Sequence, residues 1–321
     1  MKIRSVVATL LATGVALAAT TVSANANLVT RCIGTAGAVT VPGDLVVPAG
    51  QSCTLTGTVV EGKVRVQPGA DLVVLDVTLN DTVVVAADAY FDATTTTIGG
   101  TVTTRGFGVY FDRSLVGGDV RGRATSEASS FTYVYNSEVG GQVDVRAGDV
   151  LIDSSQVAGQ VRGLGTTFVD VINSTLFDTL TVKDNTEGTS VCASEVDGDT
   201  RLTGNTGVQL GEGDLLGSCA DGTNYFGGSV HVSDNVAGVT VNGNIVRGDL
   251  IGTGNDPAPT GAGNRVRGTV GGQFADMGAA PQSRVRVMAV QVDRSAETQD
   301  GVEQRRSAAV AAANAAGPAR L

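Results

Sequence analysis

The stretch Thr58-Val59-Val60-Glu61-Gly62-Lys63-Val64 sets a small polar residue, an apolar anchor, a glycine and a valine at alternate positions, and the same phrase returns along the chain. Its anchors are Val60, Leu79, Ile98, Val116, Val139, Val157, Leu176, Val196, Phe226, Val246 and Val266, eleven in all. They lie 18 to 20 residues apart except at two longer steps, of 23 and 30. A period of that length marks a repeat architecture. Two residues before the anchors stand Thr58, Val77, Thr96, Ser114, Ser137, Ser155, Ser174, Ser194, Asn224, Asn244 and Asn264, ten of which can hydrogen-bond through the side chain. Two residues after the anchors, nine positions are glycine and two are aspartate. Both tolerate a left-handed backbone, so the chain is expected to corner there. Four residues after the anchors, Val64, Val83, Val102, Val120, Val143 and Val161 open a run of apolar residues at period two, the inward side of a strand. Pairs five and seven residues before the anchor, such as Leu72 with Val74 and Phe91 with Ala93, make another wall.

Three short β segments per repeat cannot each bury their apolar side alone, and they gain a common core only by stacking on the repeats above and below. The expected fold is therefore all-β: a three-sided, single-stranded parallel β-helix of about eleven coils over residues 57–274. The lack of a hexapeptide rhythm favours the right-handed form. Residues 27–56, with Pro42 and Pro48, read as an N-terminal cap over the open core. In the tail, 275–321, Arg284-Val285-Arg286-Val287 alternates like a strand, and the alanine-rich 302–316 reads as a helix stopped by Gly317-Pro318. That tail has no clear apolar face, so it is expected to be partly helical and partly disordered.

Residues 1–26 carry Lys2 and Arg4, then an apolar run, then Ala24-Asn25-Ala26, the pattern of a cleaved secretory signal. The run is too short to span a bilayer, and no second span follows. The chain carries a formal charge of −10, and loss of the two basic residues takes it to −12. Such a balance argues against nucleic acid and anionic lipid as partners. Four cysteines in an exported chain suggest two disulfides. Cys32 and Cys53 are one coil apart, while Cys192 and Cys219 flank the one large insertion, about seven coils further on. Local pairing, Cys32 with Cys53 and Cys192 with Cys219, is the geometry a disulfide can reach.

No cofactor or metal site is expected, since the chain has a single histidine and no Cys-x-x-Cys. Outward positions three and five after the anchors place Lys63, Arg65, Asp119, Arg121, Gln142, Asp144, Gln160, Arg162, Asp199, Arg201 and His231 on one polar strip. Opposite charges compensating across strands account for such a strip without chemistry. Parallel β-helices also host polysaccharide lyases and hydrolases, which is the rival expectation, but a fold alone licenses no activity. Tyr110, Tyr133 and Tyr135 form a patch beside the long turn after Arg123, where packing around the turn is the expected use. The composition leads to a secreted, non-enzymatic rod that acts as a structural or interaction module, free outside the cell or associated with its wall. Cell-wall polysaccharide, an envelope protein or a second copy of itself would each suit a repeated face.

Three pieces resemble small secreted β-helix proteins of actinobacteria: Pro42-Gly43-Asp44-Leu45-Val46-Val47-Pro48-Ala49-Gly50, the phrase Val139-Gly140-Gly141-Gln142-Val143, and the stretch from Gly254-Asn255-Asp256-Pro257 to Gly268. That group is functionally uncharacterised, so the resemblance implies fold and export and carries no catalytic residue across. In coil length the chain is also similar to bactofilins, which polymerise end to end; the cysteine-linked N-terminal segment and long tail would obstruct such stacking here.

Overall fold

The computed structural model describes residues 28–123, 130–220, 222–275 and 294–321, with side chains in the last segment from residue 299. The signal expected over 1–26 and the strand expected over 284–287 lie outside the described residues. Three parallel sheets run the length of a β-solenoid and form its walls. Wall I has 13 strands, from Val29–Arg31 to Val270–Gly272; wall II has 11, from Gly34–Ala36 to Val236–Asn242; wall III has 12, from Thr40–Val41 to Arg265–Val266. One strand from each wall makes a rung, so the shaft has eleven complete rungs, a twelfth with strands in walls I and III only, and a final strand in wall I.

The anchors stack one on another in wall III, from Val60 on Leu79 to Val246 on Val266, in the expected register. The column from Val64 to Leu250 stacks in wall I, and the pairs Leu72 with Val74 to Val169 with Val171 line wall II. These side chains form one continuous core, buried except for the half-buried Val266 at the last rung, with Thr200 as a buried polar member of the wall I column. Because each rung sits about 4.8 Å above the last, every inward column is a row of touching apolar groups, and no rung can leave without exposing its neighbours.

Two polar ladders fill the corners inside this core. At the corner between walls II and III, each hydroxyl accepts the amide of the rung before it: Ser114 Oγ from Thr96 at 3.0 Å, Ser137 from Ser114 at 2.9 Å, Ser155 from Ser137 at 3.0 Å, Ser174 from Ser155 at 3.1 Å and Ser194 from Ser174 at 3.1 Å. Asn224, Asn244 and Asn264 continue the row. A second ladder, between walls I and II, runs Asn185, Asn205, Asn235, Asn255 and ends on Gln273. Buried turn amides that would otherwise go unpaired are satisfied this way.

The corners differ from expectation in one respect. The glycines two after each anchor do not have positive φ; the left-handed residues sit three before it, at Gly57, Asp76, Thr95, Arg113, Asn136, Ser154, Asn173, Ala193, Gly243 and Gly263, with φ of 47° to 72°. The glycine column is required by crowding instead. A Cβ on Gly118 would stand 2.7 Å from the amide nitrogen of Thr101 on the rung before.

The segment expected as a cap, 27–56, supplies from Val29 onward the first rung and two of the three strands of the second, with Val41 on Val60 and Leu45 on Val64. The shaft therefore starts before residue 57. Val41, Gly43 and Leu45 hold the anchor, glycine and inward places of the phrase there, with Val39 at the place that is polar on most other rungs. Cys32 and Cys53 join these two rungs with Cα atoms 5.7 Å apart; Cys192 and Cys219, 5.8 Å apart, tie the insertion to wall II, both as expected.

The helix expected in the tail over 302–316 is present and begins earlier, at Arg294. This helix, α1 (Arg294–Ala316), lies along the outside of wall II. Its 23 residues reach roughly 35 Å, about seven rungs, and it runs against the direction in which the rungs climb. Val302 enters an aromatic bed of Tyr90, Phe131, Tyr133, Tyr135 and Leu151, while Ala309 and Ala313 are buried nearer the first rung. Arg305 pairs with Asp71 at 2.8 Å and lies over the Phe107 ring; Arg306 pairs with Asp92 at 2.7 Å and lies over the Tyr110 ring. Beyond Gly317 the chain pairs with the first rung, Thr35 donating to Gly317 O at 2.9 Å and Ala319 to Thr35 O at 2.8 Å.

Candidate functional site

The strip singled out in the sequence is the outward side of wall I. Its central column stacks Arg65, Val84, Thr103, Arg121, Asp144, Arg162, Thr181, Arg201, His231 and Ile251 in register. Strand alternation puts these side chains outside because Val64 and Val66, and their equivalents, point in. Lys63, Asp119, Gln142, Gln160 and Asp199 form the neighbouring column, two residues earlier. All the sequence-predicted residues therefore share one face, but they extend along nine rungs and do not converge on a point.

Its carboxylates are engaged by the shaft itself. Asp119 Oδ1 accepts the Gln142 amide at 3.0 Å, and Oδ2 takes Arg121 at 2.6 Å and Gln142 Nε2 at 3.4 Å. Asp199 repeats the arrangement with the Ser229 amide at 2.9 Å and Arg201 at 2.6 Å. Asp44 repeats it with the Lys63 amide at 2.9 Å and Arg65 at 2.8 Å. Burial alone would raise Asp44 and Asp119, but the next rung's amide and the arginine outweigh it and hold both below the ordinary carboxylate range. Asp199 is lowered first by the Ser229 amide and then by Arg201, against some burial.

Asp144 is different. It is only 5% exposed, and its Oδ2 holds Arg123 at 2.9 Å and Arg146 at 3.7 Å, while Oδ1 has no partner. Its register neighbours are Arg121 and Arg162; Arg121 Nε is likewise buried without a partner. Arg105, Arg123, Arg146 and Lys183 form a third outward column that the reading of the sequence passed over. They stand seven residues after their anchors, and the same counting that found the columns at three and five would have found them.

Wall II has the opposite character. Asp71 and Asp92 lie beneath α1, where burial pushes both carboxyls up, against the pull of Arg305 and Arg306 respectively. Asp92 also accepts the Tyr90 hydroxyl, and the same burial raises that phenol. The tyrosine patch expected to pack around the long turn is thus the bed of the helix. Further up wall II the insertion folds over the sheet: Gln209 Nε2 donates to Gly213 O and Gly217 O, both at 3.1 Å, and its Oε1 accepts the Leu216 amide at 2.8 Å. Gly188 and Gly207 leave room for the Leu216 side chain.

Two shallow polar grooves follow the corner between walls II and III. One of about 500 Å³ is lined by Thr97, Arg113, Asn136, Glu138 and Gln156, and one of about 460 Å³ by Glu212, Asn242, Ile245 and Arg265. Among the described residues no group of three or more His, Cys, Asp and Glu could hold a metal ion, and no helix is long and apolar enough to cross a membrane. Comparison with protein-family models, with curated proteins and with solved structures finds no match.

Proposed function

We propose that the chain is a non-catalytic β-helix rod that serves outside the cell, or at its envelope, as a structural or interaction module. The observation that carries this reading is the use made of the aspartates on wall I. Asp44, Asp119 and Asp199 each give one oxygen to the next rung's amide and the other to an arginine, so they are parts of the shaft. A carboxyl held below its ordinary range by such partners is a weak base, poorly matched to proton abstraction near neutral pH. Two disulfides suit an oxidising compartment. A rigid, repeated outer face suits a repetitive partner: wall polysaccharide, another envelope protein or a second copy of this chain.

The test is a pull-down of the purified protein against cell-wall material and culture-fluid proteins, beside a glycan-degradation screen with and without calcium. Retained binding without turnover is the expected result. Turnover of a polyuronate that disappears in Arg162→Ala or Asp144→Asn overturns the reading in favour of a lyase.

A further inference from the structure

Charge is not spread evenly along wall I. Between the fifth and ninth rungs the two outward columns hold Arg105, Arg121, Arg123, Arg146, Arg162 and Lys183, six cations. Only Asp144 opposes them on those columns, with Asp119 and Asp184 beside. Elsewhere on the wall Arg65 and Arg201 are matched one to one by Asp44 and Asp199. Among the described residues neither Arg105 nor Arg162 has a carboxylate within ion-pair distance; the 124–129 segment, with Glu127, is not among them. A basic strip on a chain of net charge −10 is a marked segregation.

We infer that this strip binds a linear polyanionic glycan, a sugar chain bearing a carboxylate or sulfate at each repeat, laid along the shaft. The inference rests on the interaction-module reading above and names its partner class. The buried Asp144 is the positioning residue: its one engaged oxygen pins Arg123 and Arg146, while the other leaves Arg121 and Arg162 on the rungs either side free of it. Guanidinium forks present paired donors that match carboxylate and sulfate oxygens. Successive rungs repeat those forks every 4.8 Å or so, which suits a polymer with regularly spaced anionic groups better than a single small anion. The acidic remainder of the surface repels such a chain and so confines it to the strip. Wall I carries no aromatic side chain in these columns on which nucleobases would stack, and that separates a glycan from a single-stranded nucleic acid.

Immobilised polygalacturonate, heparin, polyphosphate and neutral dextran provide the probes, and the affinity of the intact protein is measured at rising ionic strength. Salt-sensitive binding to the uronate or the sulfated glycan is expected, with none to dextran; the stronger of the two identifies the anionic group. Arg146→Ala with Arg162→Ala should weaken that binding by about ten-fold or more, the loss of one or two charge-assisted contacts, while Arg201→Ala leaves it unchanged. Asp144→Asn should weaken binding and flatten its salt dependence, a readout that a stability loss alone would not move; Asp144→Glu should restore part of it. Equal binding by the double variant, or preference for polyphosphate over both glycans, overturns the inference. So does failure on all three polyanions, and if the wall-material pull-down still succeeds, the interaction-module reading survives alone. Depolymerisation of a bound glycan at the strip keeps the binding site and overturns the non-catalytic reading instead.

Discussion

Walls I and II are built from the same repeat, share one core and rise in the same register, yet among the described residues one is bare and the other is covered. Wall I turns outward a set of charged residues that satisfy each other and the next rung's amides. Wall II turns outward tyrosines, phenylalanines and aspartates, and α1 and the insertion lie over it. Aspartate shows the contrast most sharply, held below its ordinary range at positions 44, 119 and 199 on the open wall and pushed above it at 71 and 92 under the helix. The inward columns thus determine that a shaft forms, and the outward columns determine what each side of it does.

The largest effect should come where the two walls cannot be told apart. Val143→Asp places an unpaired carboxylate in the shared core and should cost several kcal/mol, or abolish folding, whereas Gln142→Asp, one residue away but outside, should cost about 1 kcal/mol or less. Equal melting temperatures for the two variants would contradict the inward and outward assignment. Next comes Arg306→Ala, which strands Asp92 beneath the helix with only the Tyr90 hydroxyl as partner. A loss of about 2–3 kcal/mol is expected, at the lower edge of that for breaking a buried pair, because Arg306 is itself 28% exposed. Hydrogen exchange should locate that loss in α1 and in the wall II strands from Asp71–Leu75 to Asp149–Asp153, with the upper rungs unmoved; uniform loosening would show that the helix is not a local clamp.

Smaller again is Ser155→Ala, which removes the acceptor of the Ser137 amide and should cost about 1–2 kcal/mol. Melting of that variant at the wild-type temperature would show that the corner ladder contributes nothing. The smallest effect is with pH, and here the walls should diverge in sign. The lowered aspartates of wall I contribute stability above the ordinary carboxylate value, about pH 4, and lose it as pH falls through their lowered values. The raised Asp71 and Asp92 contribute below the ordinary value and lose it as pH climbs through their raised ones. Acidification from neutrality to about pH 4 should then keep or tighten the helix, and only stronger acid should loosen wall I. Release of α1 in the first interval, followed by tyrosine fluorescence, would refute the assignment.

Much of the shaft could be read from the chain because stacking forces equivalent residues into equivalent places. The anchor column and both cysteine pairs follow from spacing, and the stop at Gly317-Pro318 from the residue types there. The second asparagine ladder, from Asn185 to Asn255, was equally regular and went unread because it lies between the columns that were counted. The glycine column was found but given the wrong cause, since crowding by a neighbouring rung has no local signature. The docking of α1 was not legible for a different reason. The helix is held by Arg305, Arg306, one valine and two alanines, a face with no apolar stripe, and its bed is dispersed over strands that sequence distance separates by more than 150 residues. The wall I strip was read as one face, but its basic centre needed the third column.

The pairing of residues 317–319 with Thr35 bears on the order in which the molecule can be finished. Synthesis delivers the first rung well before residues 317–319, so until they emerge the lower rim of wall II presents an unpaired strand edge to anything that could extend it. Residues 317–319 act as a seal applied late. Any product cut short before them would keep that rim open, and would be the form of this protein most prone to recruit other strands.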